Sequence, residues 1–249
     1  MAEIDSGTSA VIMQNPNFFG IVEDYSDIFA AAKAAGALSI LVFYPLSLGI
    51  LKTPAEMGAD IAVGEGQSLG QPLSFGGPYL GMMAVTKALV RKMPGRIAGE
   101  SVDRNGKKAY VLTLQAREQH IRREKAVSNI CSNQALCALR AVIYVSLLGK
   151  TGLKETALIN AQKTEYLKKK MEGIGGVEVM DGPVFNEFTV KLPYDAKILI
   201  NKMMSKGYMA GIPAYTFYKD KKEYMITAVT EKRTENEIEG FAAVLRQVI

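Results

Sequence analysis

The sequence predicts an α/β fold with a mainly parallel sheet, followed by a smaller α+β unit with an antiparallel sheet. Two observations carry this. Over residues 9 to 63 short apolar runs alternate with helical patterns in the order strand, helix, strand, helix, strand, the arrangement that builds parallel βαβ units with helices on the sheet. After Gly173-Ile174-Gly175-Gly176 the order becomes β-β-α-β-β-α, which suits an antiparallel sheet backed by helices. The chain has 249 residues, of which 48% are hydrophobic and 22% charged, enough for a sizeable core and too apolar for extensive disorder. The predicted division is residues 1–152 for a partial large domain and 153–249 for a C-terminal small domain.

Residues 9 to 13, Ser-Ala-Val-Ile-Met, read as the first strand, and Gln14-Asn15-Pro16-Asn17 as a polar turn, since Pro16 biases Asn15 away from helix. Ile28, Phe29, Ala32 and Ala35 mark one face of a helix over 25–35 that Gly36 stops. Leu38 to Phe43 is a continuous apolar strand. Thr53-Pro54-Ala55-Glu56 has capping-box spacing with proline at the first helical position, predicting a short helix before the strand Asp60 to Val63. Met82 to Val85 reads as a further strand, 86–93 as a short helix, and Asp103-Arg104-Asn105-Gly106 as a turn between two strand-like pieces. Asn133 to Leu148 is an apolar helix stopped by Gly149, and Leu153 to Glu172 a second one with Leu153, Ala157, Ala161 and Leu167 on its stripe. Strands at 177–180, 187–192, 208–212 and 224–229, a helix over 196–205 and a capped helix from Thr234 onward complete the tail.

The most informative stretch is Gly64 to Gly81, with glycines and prolines and no β-branched residue between two apolar strands. An 18-residue connection of this kind is long for a compact domain. Two readings stay open on it: a backbone cradle for an anion, which glycines permit, or a wide turn between strands. Arg117, Arg122 and Arg123 lie in a charge-dense helical segment that reads either as a solvated face or as an anion or partner patch. His120, the one histidine, has no candidate triad around it, and Cys131 and Cys137 read as buried small hydrophobes in a reducing compartment.

Net charge is +5, which favours acidic partners or phosphate ligands. Nucleic acid is not expected, because the basic residues are scattered without interleaved aromatics on one sheet face. The opening Met-Ala-Glu-Ile-Asp has no leader character and no apolar run approaches a membrane span, so a cytoplasmic protein without membrane contact is expected. Gly64-x-Gly66-x-x-x-Gly70 has the wrong spacing for a dinucleotide fingerprint, and Gln71 stands where a Walker loop needs lysine. One histidine and two separated cysteines supply no metal cluster, and no G-x-S-x-G elbow occurs. A pyridoxal phosphate enzyme, or a relative of one, is what remains.

Four segments then resemble one family: Val11-Ile12-Met13-Gln14-Asn15-Pro16-Asn17-Phe18-Phe19-Gly20, Gly58 to Gly70, Ser74-Phe75-Gly76-Gly77-Pro78-Tyr79-Leu80-Gly81, and Thr113 to Lys125. They are similar to subunit 1 of glycine dehydrogenase (decarboxylating), the P-protein of the glycine cleavage system in its split form. The match runs over essentially the whole chain but begins in mid-family, so the first half of the family's large domain is expected to be missing. The resemblance implies fold type I of the pyridoxal phosphate enzymes. It also implies glycine decarboxylation, with the cofactor ring as electron sink and the aminomethyl group passed to the lipoyl arm of the H-protein.

Such chemistry needs a Schiff-base lysine and an acid for the pyridine nitrogen. By the resemblance, Gln67 and Ser68 stand at the family's His-Lys pair and Pro45 at the acid. The chain is therefore expected to be the cofactor-free partner of a lysine-bearing subunit 2, with pyridoxal phosphate bound by that partner. Ser74, Gly76 and Gly77 are the residues the resemblance places within reach of the neighbour's cofactor; the same glycines serve equally to let two subunits pack closely. A rival expectation is a self-sufficient pyridoxal enzyme using Lys52 or Lys87.

Overall fold

The computed structural model describes residues 3–115, 119–126 and 134–249. Three strands, β1 (Ala10–Asn15), β2 (Leu38–Phe43) and β3 (Ile61–Glu65), pair in parallel in that order. β4 (Gly81–Val85) adds to β3 in the antiparallel sense, Val63 opposite Met83. The predicted strands are therefore present and the sheet is mainly parallel. Helix α1 (Ser26–Ala34) covers one face by packing Phe29 and Tyr25 against Leu41 and Met57. Gly36 ends it with φ 80, the left-handed conformation that glycine adopts without a Cβ penalty.

One element differs from expectation. Thr53 and Glu56 form the capping-box bonds, Thr53 N–H to Glu56 Oε2 at 2.8 Å and Glu56 N–H to Thr53 Oγ1 at 3.3 Å. Only a turn follows, because Gly58 (φ 90) diverts the chain directly into β3. A short 3-10 helix over Lys87–Lys92 leads into a separate ribbon, β5 (Ile97–Val102) with β6 (Lys108–Thr113), joined by the Asp103 turn. Helix α2 (Gln119–Arg122) follows, exposed along its length.

Helix α3 (Ala135–Glu172) joins the two predicted helices end to end, with Gly149 breaking the helical path at φ 61, ψ −174. Beyond the break, Ala157, Asn160, Thr164, Leu167 and Met171 form a buried stripe at helical spacing. Before it, Leu136, Leu139, Val142, Ile143 and Leu147 point outward, Leu147 at 83% exposure. By length and composition α3 is the one helix among the described residues long and apolar enough to cross a membrane. Gly149 interrupts that length, and the apolar part before it, residues 135–148, is shorter than a span. The sequence-predicted start at Asn133 lies outside the described residues.

The second sheet runs β7 (Glu178–Val179), β8 (Glu187–Lys191), β10 (Tyr224–Ala228), β9 (Ile212–Pro213), antiparallel throughout. Helices α4 (Ala196–Ser205) and α5 (Glu235–Val248) pack on it through Leu199, Met203, Ile238 and Leu245, together with the second half of α3. The β1 turn docks onto this sheet. Thr189 Oγ1 donates to Phe19 O at 2.8 Å, and a Cβ on Gly20 (φ 84) would stand 2.3 Å from Glu187 O. The Asn-Pro-Asn-Phe-Phe-Gly segment thus works as a structural clasp, with Asn17 Oδ1 accepting from the amides of Phe19 and Ile21.

Candidate functional site

In a parallel sheet, ligand sites form at the carboxyl ends of strands. Here β1, β2 and β3 deliver Asn15, Tyr44 and Glu65 to one edge, where a cavity of about 230 Å³ is lined by Asn15, Tyr44, Glu65, Gln67 and Ser68 among others. A larger cavity of about 490 Å³ adjoins it across Tyr44, Gln67 and Ser68. Its far wall comes from Arg140 and Tyr144 on α3 and from Thr230-Glu231-Lys232-Arg233, the loop that follows β10.

The Gly64 to Gly81 stretch supplies the near wall, and it is a hairpin excursion between antiparallel strands. Gly66 N–H donates to Leu80 O at 2.7 Å and Leu80 N–H to Glu65 Oε1 at 2.8 Å, closing its base. Residues 66–71 make one packed turn: Leu69 N–H bonds Gly66 O, Gln71 N–H bonds Gln67 O, and Leu69 and Gln71 are buried. These amides are spent inside the loop, so the wide-turn reading describes them better than the anion cradle. Residues 74–76 then project into solvent, with Phe75 fully exposed. Ser74 (φ 48) and Phe75 (φ 51) hold left-handed backbone and Gly76 and Gly77 follow at φ 115 and 123. Ser74, Gly76 and Gly77 therefore lie together on a projecting tip and do not line either cavity.

Ser68 sits between the two cavities. Its Oγ is buried without a hydrogen bond of ordinary geometry. It lies beside the Tyr44 phenol, whose pKa burial pushes up, an effect that the Ser68 hydroxyl opposes and the charges of Glu231 and Glu187 reinforce. Burial and Glu231 likewise raise Tyr144, so both phenols stay protonated as hydrogen-bond donors. Burial alone raises Glu187.

The positions that the resemblance assigns to the cofactor's lysine and acid do not fit covalently bound pyridoxal phosphate. The turn after β3 offers Gln67 and Ser68, and a serine hydroxyl cannot form an imine. Pro45, buried at the start of the 3-10 helix Pro45–Gly49 after β2, cannot pair with a pyridinium. Of the rival lysines, Lys52 is bonded to Asp24 Oδ2 at 3.0 Å and Lys87 lies exposed on its 3-10 helix; neither lines either of the two cavities described above.

Other sequence candidates fall elsewhere. His120, Arg122 and Arg123 are exposed on and after α2, away from both cavities, while Arg117 and Cys131 lie outside the described residues. Cys137 is only partly buried, its Sγ 3.8 Å from Pro78 O, which corrects its placement in the core. Sequence reasoning missed Tyr44, Arg140, Tyr144 and the 230–233 loop. Tyr44 was open to inference, since it follows the carboxyl end of a parallel strand. The others reach the site only through the docking of the two sheets.

The glycine cleavage system P-protein family model matches residues 2–245. The chain belongs to that family. A relative from Citrifermentans bemidjiense, named probable glycine dehydrogenase (decarboxylating) subunit 1, is 52% identical over 247 residues, covering 99% of this chain and 56% of its own. A crystal structure of inhibitor-bound glycine decarboxylase (P-protein) superposes with TM-score 0.94 at 41% identity, over 99% of this P-protein family chain and 56% of that one. An alanine–glyoxylate aminotransferase from Nostoc sp. shares the fold at TM-score 0.63 and 15% identity, across 96% and 61% of the two chains. The chain thus has a mixed α/β fold of the fold type I class and spans about half the length of the relatives it matches.

Proposed function

We propose that this chain is a cofactor-free, subunit 1 portion of the glycine cleavage system P-protein. It supports decarboxylation of glycine and aminomethyl transfer to the lipoyl group of the H-protein, while a lysine-bearing subunit 2 binds pyridoxal phosphate. The carrying observation is Ser68, a buried hydroxyl in the turn after β3, which by the family resemblance stands at the position of the catalytic subunit's lysine. Ser74, Gly76 and Gly77, on the projecting tip, would touch the neighbouring subunit or the phosphate of its cofactor. A working division at 152/153 puts β1–β6 in a partial large domain and β7–β10 in a small one, and the working location is the cytoplasm.

Docking of an acidic lipoyl carrier has support in charge. Residues 87–125 hold eleven Lys or Arg against four Asp or Glu, so this stretch exceeds the chain's net +5. Reconstitution with subunit 2 tests the proposal. The chain alone is expected to be inactive and to take no covalent label from pyridoxal phosphate plus borohydride, and to raise the decarboxylation rate of subunit 2 on mixing. Borohydride-stable labelling of this chain would overturn it, as would the absence of any effect on subunit 2.

A further inference from the structure

We propose that the 490 Å³ cavity between the turn after β3, α3 and the 230–233 loop binds a small organic carboxylate non-covalently, with Arg140 and Lys232 as its charge partners. The proposal does not depend on the role of the chain in a glycine-cleaving complex.

Three observations carry it. The cavity has the size of a small-molecule site and joins apolar walls, Leu46, Pro72 and Leu73, to a few polar groups. Those polar groups are mostly donors. Arg140 and Lys232 make no ion pair among the described residues, whereas Arg233 is held by Glu237 at 3.2 Å. The Tyr44 and Tyr144 phenols add neutral O–H groups. Glu231 is the one carboxylate in the lining, so two unpaired cations outnumber it. A carboxylate suits such a set, because charge-assisted bonds to a guanidinium or ammonium are the strong ones.

The cationic wall is also fastened in place. Asn160, fully buried, accepts from Glu231 N–H at 3.2 Å, and Lys163 Nζ donates to the carbonyls of Glu231 and Arg233. Thr164 Oγ1 bonds Val229 O at 3.2 Å. Three buried or half-buried side chains of α3 are thereby committed to fixing one short loop at the mouth of a cavity. On the opposite side Gly70 (φ 80) packs on Tyr144 so closely that a Cβ would stand 2.8 Å from the ring.

Calorimetric titration of succinate against the full chain tests this, with inorganic phosphate as a second titrant. Saturable binding of about one succinate per chain is expected, weakened about tenfold in Arg140→Gln and in Lys232→Gln. Glu231→Gln should tighten binding several-fold, a gain that loss of a merely structural group would not produce. Arg246→Gln, on the exposed side of α5, is the control and should bind like the parent. All four residues are at least partly exposed, and matched thermal unfolding would show that the variants fold. No saturable succinate binding, binding of phosphate alone, or affinity unchanged in both cation variants would overturn the assignment.

Discussion

Ser68 Oγ is buried and lacks a well-formed hydrogen bond, a state that costs free energy rather than supplying it. Ser68→Ala is therefore expected to leave stability unchanged or raise it by up to about 1 kcal/mol, measured by chemical denaturation. Gly20→Ala should do the reverse. Its Cβ would meet the Glu187 carbonyl at 2.3 Å in a left-handed backbone, and a loss of about 3 kcal/mol or more, or failure to fold, is expected. Both residues were open to view in the sequence as members of family-like segments, but their reasons were not. What surrounds the Ser68 hydroxyl depends on Tyr44, which follows β2, and that position 20 must be glycine depends on β8, which lies far along the chain.

Elements were the most legible level, because their signals are local. The alternation of apolar strands with helical faces, the Gly36 and Gly149 stops and the Thr234 capping box each appear in the structure where the spacing placed them. The Thr53 box shows the limit: its hydrogen bonds form, yet Gly58 and the pull of β3 allow only one turn, since a cap starts a helix but cannot lengthen it. Thr234→Ala, at a box that opens a full helix over Glu235–Val248, should cost about 1 kcal/mol in denaturant unfolding.

The same box predicts a pH effect. The Thr234 backbone N–H and hydroxyl hold Glu237 below the ordinary glutamate range. A lowered folded-state pKa means that the box stabilises fully above the unfolded value and is lost as pH falls through the folded one, so Glu237→Gln should flatten acid destabilisation. Asp24 behaves alike: the Ser26 hydroxyl, then Lys52, hold it at about 2 against an ordinary 3.8. Carbon-detected NMR titration should find it ionised well below the other surface aspartates.

For the molecule as a whole, the clearest feature is uneven packing. Among the described residues none between positions 72 and 140 is buried, while the second sheet with α4 and α5 encloses a complete core. The β5–β6 ribbon carries Val102, Tyr110, Val111 and Leu112 exposed, and an isolated two-stranded ribbon is marginal in water. Hydrogen exchange should show rapid exchange of β5 and β6 in the chain alone, protection in α5 and β10, and new protection of the ribbon once a partner subunit is bound. Little of this was readable beforehand. Periodicity tells which residues seek burial, but it does not tell whether the covering surface belongs to the same polypeptide.

The break at Gly149 has one more consequence. An unbroken helix would lock the angular phase of its first half to that of its second, so one added residue near Leu139 would rotate every contact from Ala157 to Met171. With the winding reset at Gly149, the two halves are free to drift in sequence independently: one answering to whatever covers Leu136 and Leu147, the other to a settled interior.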